Sequence, residues 1–232
     1  MKTITIGDVH GRSYWERVDL EKYDKVIFVG DIMDNSRQPI EDHEMLQNTK
    51  KILKLKEENP DKVILIPGNH DLPYIFSYDF SPCSRFRKNM YERVHELYVQ
   101  NKHLFQAAFQ HGSYLWTHGG VLRGWYEVSI GPFNPGDEKK LAETINERFR
   151  NKPRLTISAS TMRGGYDLYG GPFWAHVTEL VQEKNPLPIN QIVGHNRMEN
   201  IITHKRRGGT WTITFTDVQD WKNEFFELEI PD

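Results

Sequence analysis

Short apolar runs, each ending abruptly in a polar cluster, set the pattern of this chain. Thr3 to Ile6 is predicted as a strand, and it opens into Gly7-Asp8-Val9-His10-Gly11. Lys25 to Val29 (KVIFV) is a second, running into Gly30-Asp31-Ile32-Met33-Asp34-Asn35. Val63 to Ile66 (VILI) is a third, running into Pro67-Gly68-Asn69-His70-Asp71. Such near-continuous apolar strands are those covered on both faces. Arg12 to Leu20 is expected as a short helix or turn. Ile40 to Glu58 carries Met45, Leu46, Thr49, Ile52 and Leu53 at helical spacing, with Lys, Glu and Asn between them. That period predicts an amphipathic helix, which Asn59-Pro60-Asp61 ends.

The pattern continues less regularly. Ser84 to Phe109 is compatible with helix, its apolar contacts being Met90, Val94, Leu97, Tyr98 and Leu104. Tyr114 to Trp116 reads as a strand that ends in Thr117-His118-Gly119-Gly120. A helix is expected to Arg150, with Asp137 as its N-cap and a stripe of Leu141, Ile145, Arg148 and Phe149. Ser158 to Trp174, rich in Gly and aromatic residues, reads as a shaped loop. Gln191 to Val193 is a strand ending in Gly194-His195. Ile201 to His204, Thr210 to Thr216 and Glu224 to Ile230 read as strands joined by turns, so the second half is expected to be more antiparallel. Alternating strands and helices predict an α/β layered fold. No repeat, low-complexity tract or linker divides the chain, so a single domain over 1–232 is expected. In such sheets ligands bind beyond the carboxyl ends of the strands, where the polar clusters lie.

Composition narrows the partners. The net charge of −2 gives no signal for nucleic acid or an anionic membrane. Lys205-Arg206-Arg207 reads as a solvated turn. A single cysteine, Cys83, excludes an intrachain disulfide and fits a reducing compartment. No apolar run is long enough to span a bilayer, and the sequence opens on a strand without a signal-peptide pattern. A soluble, cytoplasmic protein is expected; its oligomeric state is open.

The strand ends carry the candidate chemistry. Asp8 and His10 stand two apart, so strand alternation would turn them to one side. With Asp31, Asn69, His118 and His195 they form a set of oxygen and imidazole donors without a thiolate. Such donors suit Mn²⁺, Fe or Zn²⁺ better than Cu(I), and the imidazoles argue against Ca²⁺. Six ligands exceed what one catalytic ion needs. They suit two divalent ions sharing a carboxylate, roughly 3.5–4 Å apart.

Gly-Asp-Val-His-Gly, Gly-Asp-Ile-Met-Asp, Gly-Asn-His-Asp, His-Gly-Gly and Gly-His occur in that order between positions 7 and 195. In this the chain resembles the calcineurin-like metallophosphoesterase superfamily, most of all its serine/threonine-phosphatase-type branch. That branch includes bacterial phosphatases and diadenosine tetraphosphate hydrolases. The resemblance implies a β-sandwich flanked by helices, with a dinuclear metal site at the strand ends that hydrolyses phosphomonoesters. It implies that Asp8 and His10 hold one metal, that Asp31 bridges, and that Asn69, His118 and His195 hold the other. It makes His70 the general acid and Asp34 the residue that orients it. These roles are chemically coherent: two dications neutralise phosphoryl oxygens and acidify a bridging water, and an imidazole backed by a carboxylate protonates the leaving oxygen. Mn²⁺ is the expected metal, with Fe or Zn²⁺ as alternatives.

Two departures bear on the substrate. Asn35 stands where the phosphatase branch has an Arg that grips phosphate. Gly171-Pro172-Phe173-Trp174-Ala175 is followed by His176, where some bacterial relatives have another Arg. The phosphate clamp is therefore expected from Arg163, whose guanidinium fork matches phosphate. Arg12, Arg37, Arg123, Asn35 and His176 are the other candidates. Arg197, two after His195, replaces a His ligand of distant phosphodiesterases and favours the phosphatase branch. Tyr166 and Tyr169 are candidates for a pocket wall, and Asp71 for a helix cap or a neighbour of the site. His43, His95, His103, His111 and His204 read as surface or packing residues. The substrate is expected to be a phosphorylated small molecule, a nucleotide or a phosphoprotein. The missing arginines leave open a nucleotide phosphodiesterase or a dinucleoside-polyphosphate pyrophosphohydrolase. The intact ligand set argues against a catalytically inactive scaffold.

Overall fold

The computed structural model describes residues 1–34, 39–77, 79, 83–218 and 222–231. Two of the expected substrate contacts, Asn35 and Arg37, lie outside the described residues. In chain order the regular elements are β1 (Lys2–Ile6), β2 (Lys25–Phe28), α1 (Asp42–Glu58), β3 (Val63–Leu65), α2 (Leu72–Ile75), α3 (Tyr91–Gln100), β4 (Ala108–His111), β5 (Tyr114–Thr117), α4 (Arg123–Ser129), α5 (Leu141–Asn151), α6 (Val177–Gln182), β6 (Asn190–Val193), β7 (Ile202–Lys205), β8 (Thr212–Phe215) and β9 (Phe226–Glu229). Two compact units result, one from residues 1–106 with 218–232, the other from 107–217. Each carries one sheet with helices, which gives the mixed α/β architecture expected.

In the first unit the sheet order is β3-β2-β1-β9. β1, β2 and β3 run parallel, with Ile4 opposite Val26 and Val26 opposite Val63. β9 closes the other side of β1 antiparallel. The β2–β3 connection passes through α1, which the parallel arrangement requires. α1 buries Met45, Thr49, Ile52 and Leu53 along the stripe that the sequence period marks. Full burial of each apolar side chain contributes about 1.5–3 kcal/mol. Asn48, also buried on α1, accepts from the Trp15 indole at 2.8 Å and donates to the Arg12 carbonyl at 3.1 Å. The core helix therefore grips the segment that follows β1.

Past their ends the strands stay bonded to one another. His10 N–H donates to the Asp31 carbonyl at 2.6 Å and Gly11 N–H to the Ile32 carbonyl at 2.9 Å. Asp71 ties the loops after β2 and β3 together. Its fully buried carboxylate accepts from the N–H groups of Ile32, Met33 and Gly68, and from the Tyr98 hydroxyl at 2.7 Å. It stands at the N-terminus of α2 without capping it. The helix-cap expectation is replaced by this staple, because three converging loop amides engage the carboxylate first. Burial pushes the Asp71 carboxyl up, against the pull of those donors, and raises the Tyr98 phenol beside it.

The second unit has the order β4-β5-β6-β8-β7. Its centre is parallel (β5, β6, β8), and only the edge strands β4 and β7 run antiparallel. The expectation of a more antiparallel second half therefore holds at the edges alone. The long β5–β6 connection folds into α4, α5 and α6, so β6 returns in the same direction as β5. The Gln191 side chain accepts from Val121 N–H and donates to the Val121 carbonyl, both at 2.8 Å. It pins the segment after β5 to β6.

Other expectations shift at element ends. The helix foreseen over Ser84 to Phe109 is confined to α3. Arg85 at φ 61° interrupts its start, and Asn101, whose side chain donates to the Leu97 carbonyl, ends it. Asp137 opens a 3-10 turn rather than capping α5. Its carboxylate accepts from Asn134 N–H instead. Arg206 is not in a solvated turn: it is 2 % exposed and ion-paired with Glu183. Among the described residues no helix is long and apolar enough to cross a membrane.

Asp71→Ala strands three buried amides and a phenol. A loss of about 3–5 kcal/mol is expected in urea unfolding of the metal-free protein, against about 1–2 kcal/mol for Tyr98→Phe. A loss within 1 kcal/mol for Asp71→Ala, against that same expectation, would show that the staple contributes little.

Candidate metal centre

Asp8 and His10 converge, though not by strand alternation. β1 ends at Ile6, and His10 sits at φ 47°. The left-handed turn brings the imidazole back over the carboxylate. Its Nε2 lies 3.9 Å from Asp8 Oδ2 and 3.7 Å from Asp31 Oδ2. Those separations exceed hydrogen-bond length. They suit donors that each stand about 2.0–2.2 Å from one ion. All three side chains are buried, and their ligand atoms lie within 4.8 Å of one another. His10 Nδ1 is 2.5 Å from the Asp34 carbonyl, which fixes the tautomer with Nδ1–H donating and leaves Nε2 as the donor atom for a metal. The Arg12 guanidinium is turned to backbone, donating to the carbonyls of Val9 at 3.0 Å and Asp8 at 3.2 Å. It braces the Asp8 turn.

Asp31 is held equally tightly, at φ 48°. Its Oδ1 accepts the His70 N–H at 2.9 Å. Gly68 lies against it: a Cβ there would come within 2.0 Å of Asp31 Oδ1 and 2.2 Å of Asp31 N. Only glycine lets the β3 loop approach the carboxylate. Asn69, the remaining ligand candidate of this unit, is buried beside His70.

The acid candidate stands next to them. His70 is edge-on to His10, with 5.3 Å between ring centroids. Asp34, at φ 59° and fully buried, puts Oδ2 3.7 Å from His70 Nδ1 and takes the Tyr74 hydroxyl on Oδ1 at 2.9 Å. Sequence reasoning missed Cys83, whose Sγ is 3.7 Å from the same Nδ1. Burial opposes a charge on His70, but Asp31, Asp34 and Cys83 together outweigh it and raise the imidazole well above its ordinary value. Dications at the neighbouring carboxylates would offset that rise. Burial pushes the Cys83 thiol up and, with Asp34, the Tyr74 phenol.

In the second unit His118 and His195 face each other edge to face, 4.9 Å between centroids, both buried. His195 sits at φ 61°, and Trp174 packs edge-on against it at 5.7 Å. Gly119 permits this: a Cβ there would lie 2.8 Å from the backbone of Phe173 and Trp174. Non-glycine residues at positive φ are uncommon and gather at functional sites. Among the described residues they are His10, Asp31, Asp34, Arg85 and His195, and four of these five are site candidates.

The expected phosphate contacts separate. Arg163 donates to Asn196 Oδ1, next to His195, and Asn196 also accepts Val177 N–H and donates to the Ala175 carbonyl. His176 caps α6: its Nδ1 accepts Thr178 N–H at 3.2 Å while Glu179 takes its own N–H. Burial and the nearby Arg163 lower its pKa, so the ring is neutral at pH 7. Arg123 stacks on Phe133 and lies 3.6 Å from Glu127. A cavity of about 490 Å³ is lined by Arg123, Glu183 and Tyr169, but by none of the candidate metal ligands. Tyr166 is fully exposed.

A family model of calcineurin-like phosphoesterases matches residues 1–228. The cold-active protein-tyrosine phosphatase of a psychrophilic Shewanella species superposes with a TM-score of 0.59 at 14% identity, covering 98% of this chain and 75% of that one. A second structure, also of a cold-active protein tyrosine phosphatase, gives 0.58 at 15% identity over 98% of this chain and 73% of that one. At such identities the likeness is one of fold. No curated protein sequence matches the chain. With the family model covering nearly the whole length, the chain belongs to the calcineurin-like phosphoesterases, metal-binding hydrolases that act on phosphate esters.

Proposed function

We propose that this chain is a phosphatase-type member of its family, hydrolysing phosphomonoesters at a dinuclear metal centre. Its ligands would be Asp8, His10, Asp31, Asn69, His118 and His195. Family membership supports this ligand set. The observation that carries the reading is the buried Asp8–His10–Asp31 cluster, with the His10 tautomer locked and two of its three residues at positive φ. Mn²⁺ is the metal we propose, with Fe or Zn²⁺ as alternatives, since the donors are nitrogen and oxygen.

When bound, the two ions would neutralise phosphoryl charge and supply an acidified water for in-line attack. Asp31 would bridge them, held in place by the His70 amide and by Gly68. His70 donates its Nε2 proton to the leaving oxygen. Asp34 orients the ring from behind, itself fixed by Tyr74. Arg163, anchored through Asn196, grips the phosphate. The lone cysteine supports a reducing, cytoplasmic setting. A phosphoprotein, a nucleotide and a small phosphate ester are all substrates this centre would accept.

One observation favours a second reading. His176 is a neutral helix cap where some bacterial relatives carry an arginine. With fewer cations to grip a dianionic monoester, the site would suit a diester or a nucleotide.

Metal-stripped protein reloaded with Mn²⁺ is expected to turn over p-nitrophenyl phosphate faster than bis-p-nitrophenyl phosphate. His70→Ala is expected to lower kcat by about 10²–10⁴ on an alkyl monoester and much less on the aryl one, whose leaving group needs no proton. Preference for the diester, or an equal loss on both monoesters, would overturn the monoesterase assignment or the acid assignment respectively. Arg163→Ala is expected to raise KM for the monoester by about ten- to hundredfold with a smaller change in kcat. An unchanged KM would place the phosphate clamp elsewhere.

A further inference from the structure

We infer that Asp34, His70 and Cys83 form a separate binding site for a thiophilic divalent cation such as Zn²⁺, placed to disable the general acid. Its regulatory consequence rests on the acid role proposed for His70; the metal site itself does not.

The geometry is that of an unclosed metal tripod. His70 Nδ1 is 3.7 Å from Asp34 Oδ2 and 3.7 Å from Cys83 Sγ, and all three ligand atoms lie within 4.8 Å of one another. The carboxylate–imidazole separation is too long for a hydrogen bond. Around tetrahedral zinc, with bonds of about 2.3 Å to sulfur and 2.0–2.2 Å to nitrogen and oxygen, the same edges come to roughly 3.4–3.6 Å. Side-chain adjustment of a few tenths of an ångström would close these two edges, and Asp34 and Cys83 would draw together from within 4.8 Å.

Asp34 supplies an independent reason. Its side chain is fully buried, and Oδ2 has no hydrogen-bond partner among the described residues, although Oδ1 is satisfied by Tyr74. A buried carboxylate oxygen in that condition is costly. Facing an imidazole nitrogen and a thiol, it points to a cation. Tyr74, packed against Phe86, Tyr91 and Tyr98, walls the site and fixes the carboxylate. The His70 side chain is 13% exposed, which leaves an approach from solvent.

Donor chemistry separates this site from the dinuclear one. Asp8, His10, Asp31 and Asn69 offer only oxygen and nitrogen, whereas the tripod adds a thiolate, which favours Zn²⁺ over Mn²⁺. On binding, Cys83 Sγ and His70 Nδ1 would each give up any proton they carry to solvent, and the metal would take their place. Nε2–H would then belong to a metal-bound neutral imidazole, a much weaker acid than an imidazolium. Asp34 would be drawn to the metal instead of orienting the ring. Leaving groups that need a proton would suffer most.

Cys83 is the only cysteine in the chain, so any thiolate-to-metal charge-transfer band reports it alone. The test titrates Co²⁺ into full-length, Mn²⁺-saturated protein and follows that near-ultraviolet band, with Zn²⁺ as competitor. The expected result is saturation at one equivalent, displacement by Zn²⁺, no band in Cys83→Ser, and an apparent Kd raised at least about tenfold in Asp34→Asn and His70→Gln. Zn²⁺ should also slow carboxymethylation of Cys83 by iodoacetate, which needs no variant. No band, or a band indifferent to Asp34→Asn and His70→Gln, would overturn the site. A well-behaved band without turnover of any phosphate ester would sink the phosphatase reading and leave the site standing. Mn²⁺-dependent turnover with no band would do the reverse.

Discussion

Two carboxylates buried side by side are the constraint on which the first unit depends. Asp8 and Asp31 are withdrawn from water and share the His10 imidazole. Like charges about 4 Å apart repel by roughly 4 kcal/mol even at an effective dielectric near 20. Burial adds several kcal/mol per ion. Such an arrangement persists when a cation compensates it, and the local structure is built to hold it open for one. Arg12 braces the Asp8 turn through its carbonyls, the Asp34 carbonyl fixes His10, and the His70 amide and the absent side chain of Gly68 position Asp31. The backbone bears the strain of left-handed turns at His10, Asp31 and Asp34. The parallel strands and α1 provide the rigid packing that sustains it.

The proposed acid dyad, Asp34 and His70, shares this rigidity. Asp71 fastens the β2 loop to the β3 loop, so Asp34 and His70 are carried by the same amide cluster that carries Asp31 and Asn69. Tyr98 reaches Asp71 and Tyr74 reaches Asp34, and the two tyrosines lie side by side. One aromatic wall therefore backs both the staple and the proposed acid. A disturbance at either tyrosine should be felt at both.

Much of the candidate site is legible because its residues are local in sequence. Each proposed ligand follows a short apolar strand, so the runs Thr3 to Ile6, Lys25 to Val29 and Val63 to Ile66 mark where Asp8, Asp31 and Asn69 stand. The α1 stripe was legible for the same reason: burial at helical spacing is a pattern within one element. What escaped depends on contacts distant in sequence. Asp71 looked like a helix cap because the amides it binds, at Ile32 and Met33, are far back in the chain. Cys83 lacked any motif, and only folding brings its sulfur to His70. Arg206 sat in a basic run that reads as surface, and its partner Glu183 belongs to a segment whose helix the sequence did not announce. The parallel centre of the second sheet was hidden because strand direction follows from the path of a long connection and not from the strands themselves.

We propose that Asp8, His10, Asp31, Asn69, His118 and His195 together hold two metal ions. Equilibrium dialysis of the purified, metal-stripped chain against Mn²⁺ tests it most directly, with Asp31→Asn and His118→Ala beside the unaltered protein. Two ions per chain are expected in the unaltered protein, at most one tightly held in each variant, with loss of phosphate-ester turnover in both. A single ion in the unaltered protein, or two ions retained with full turnover in either variant, would contradict it.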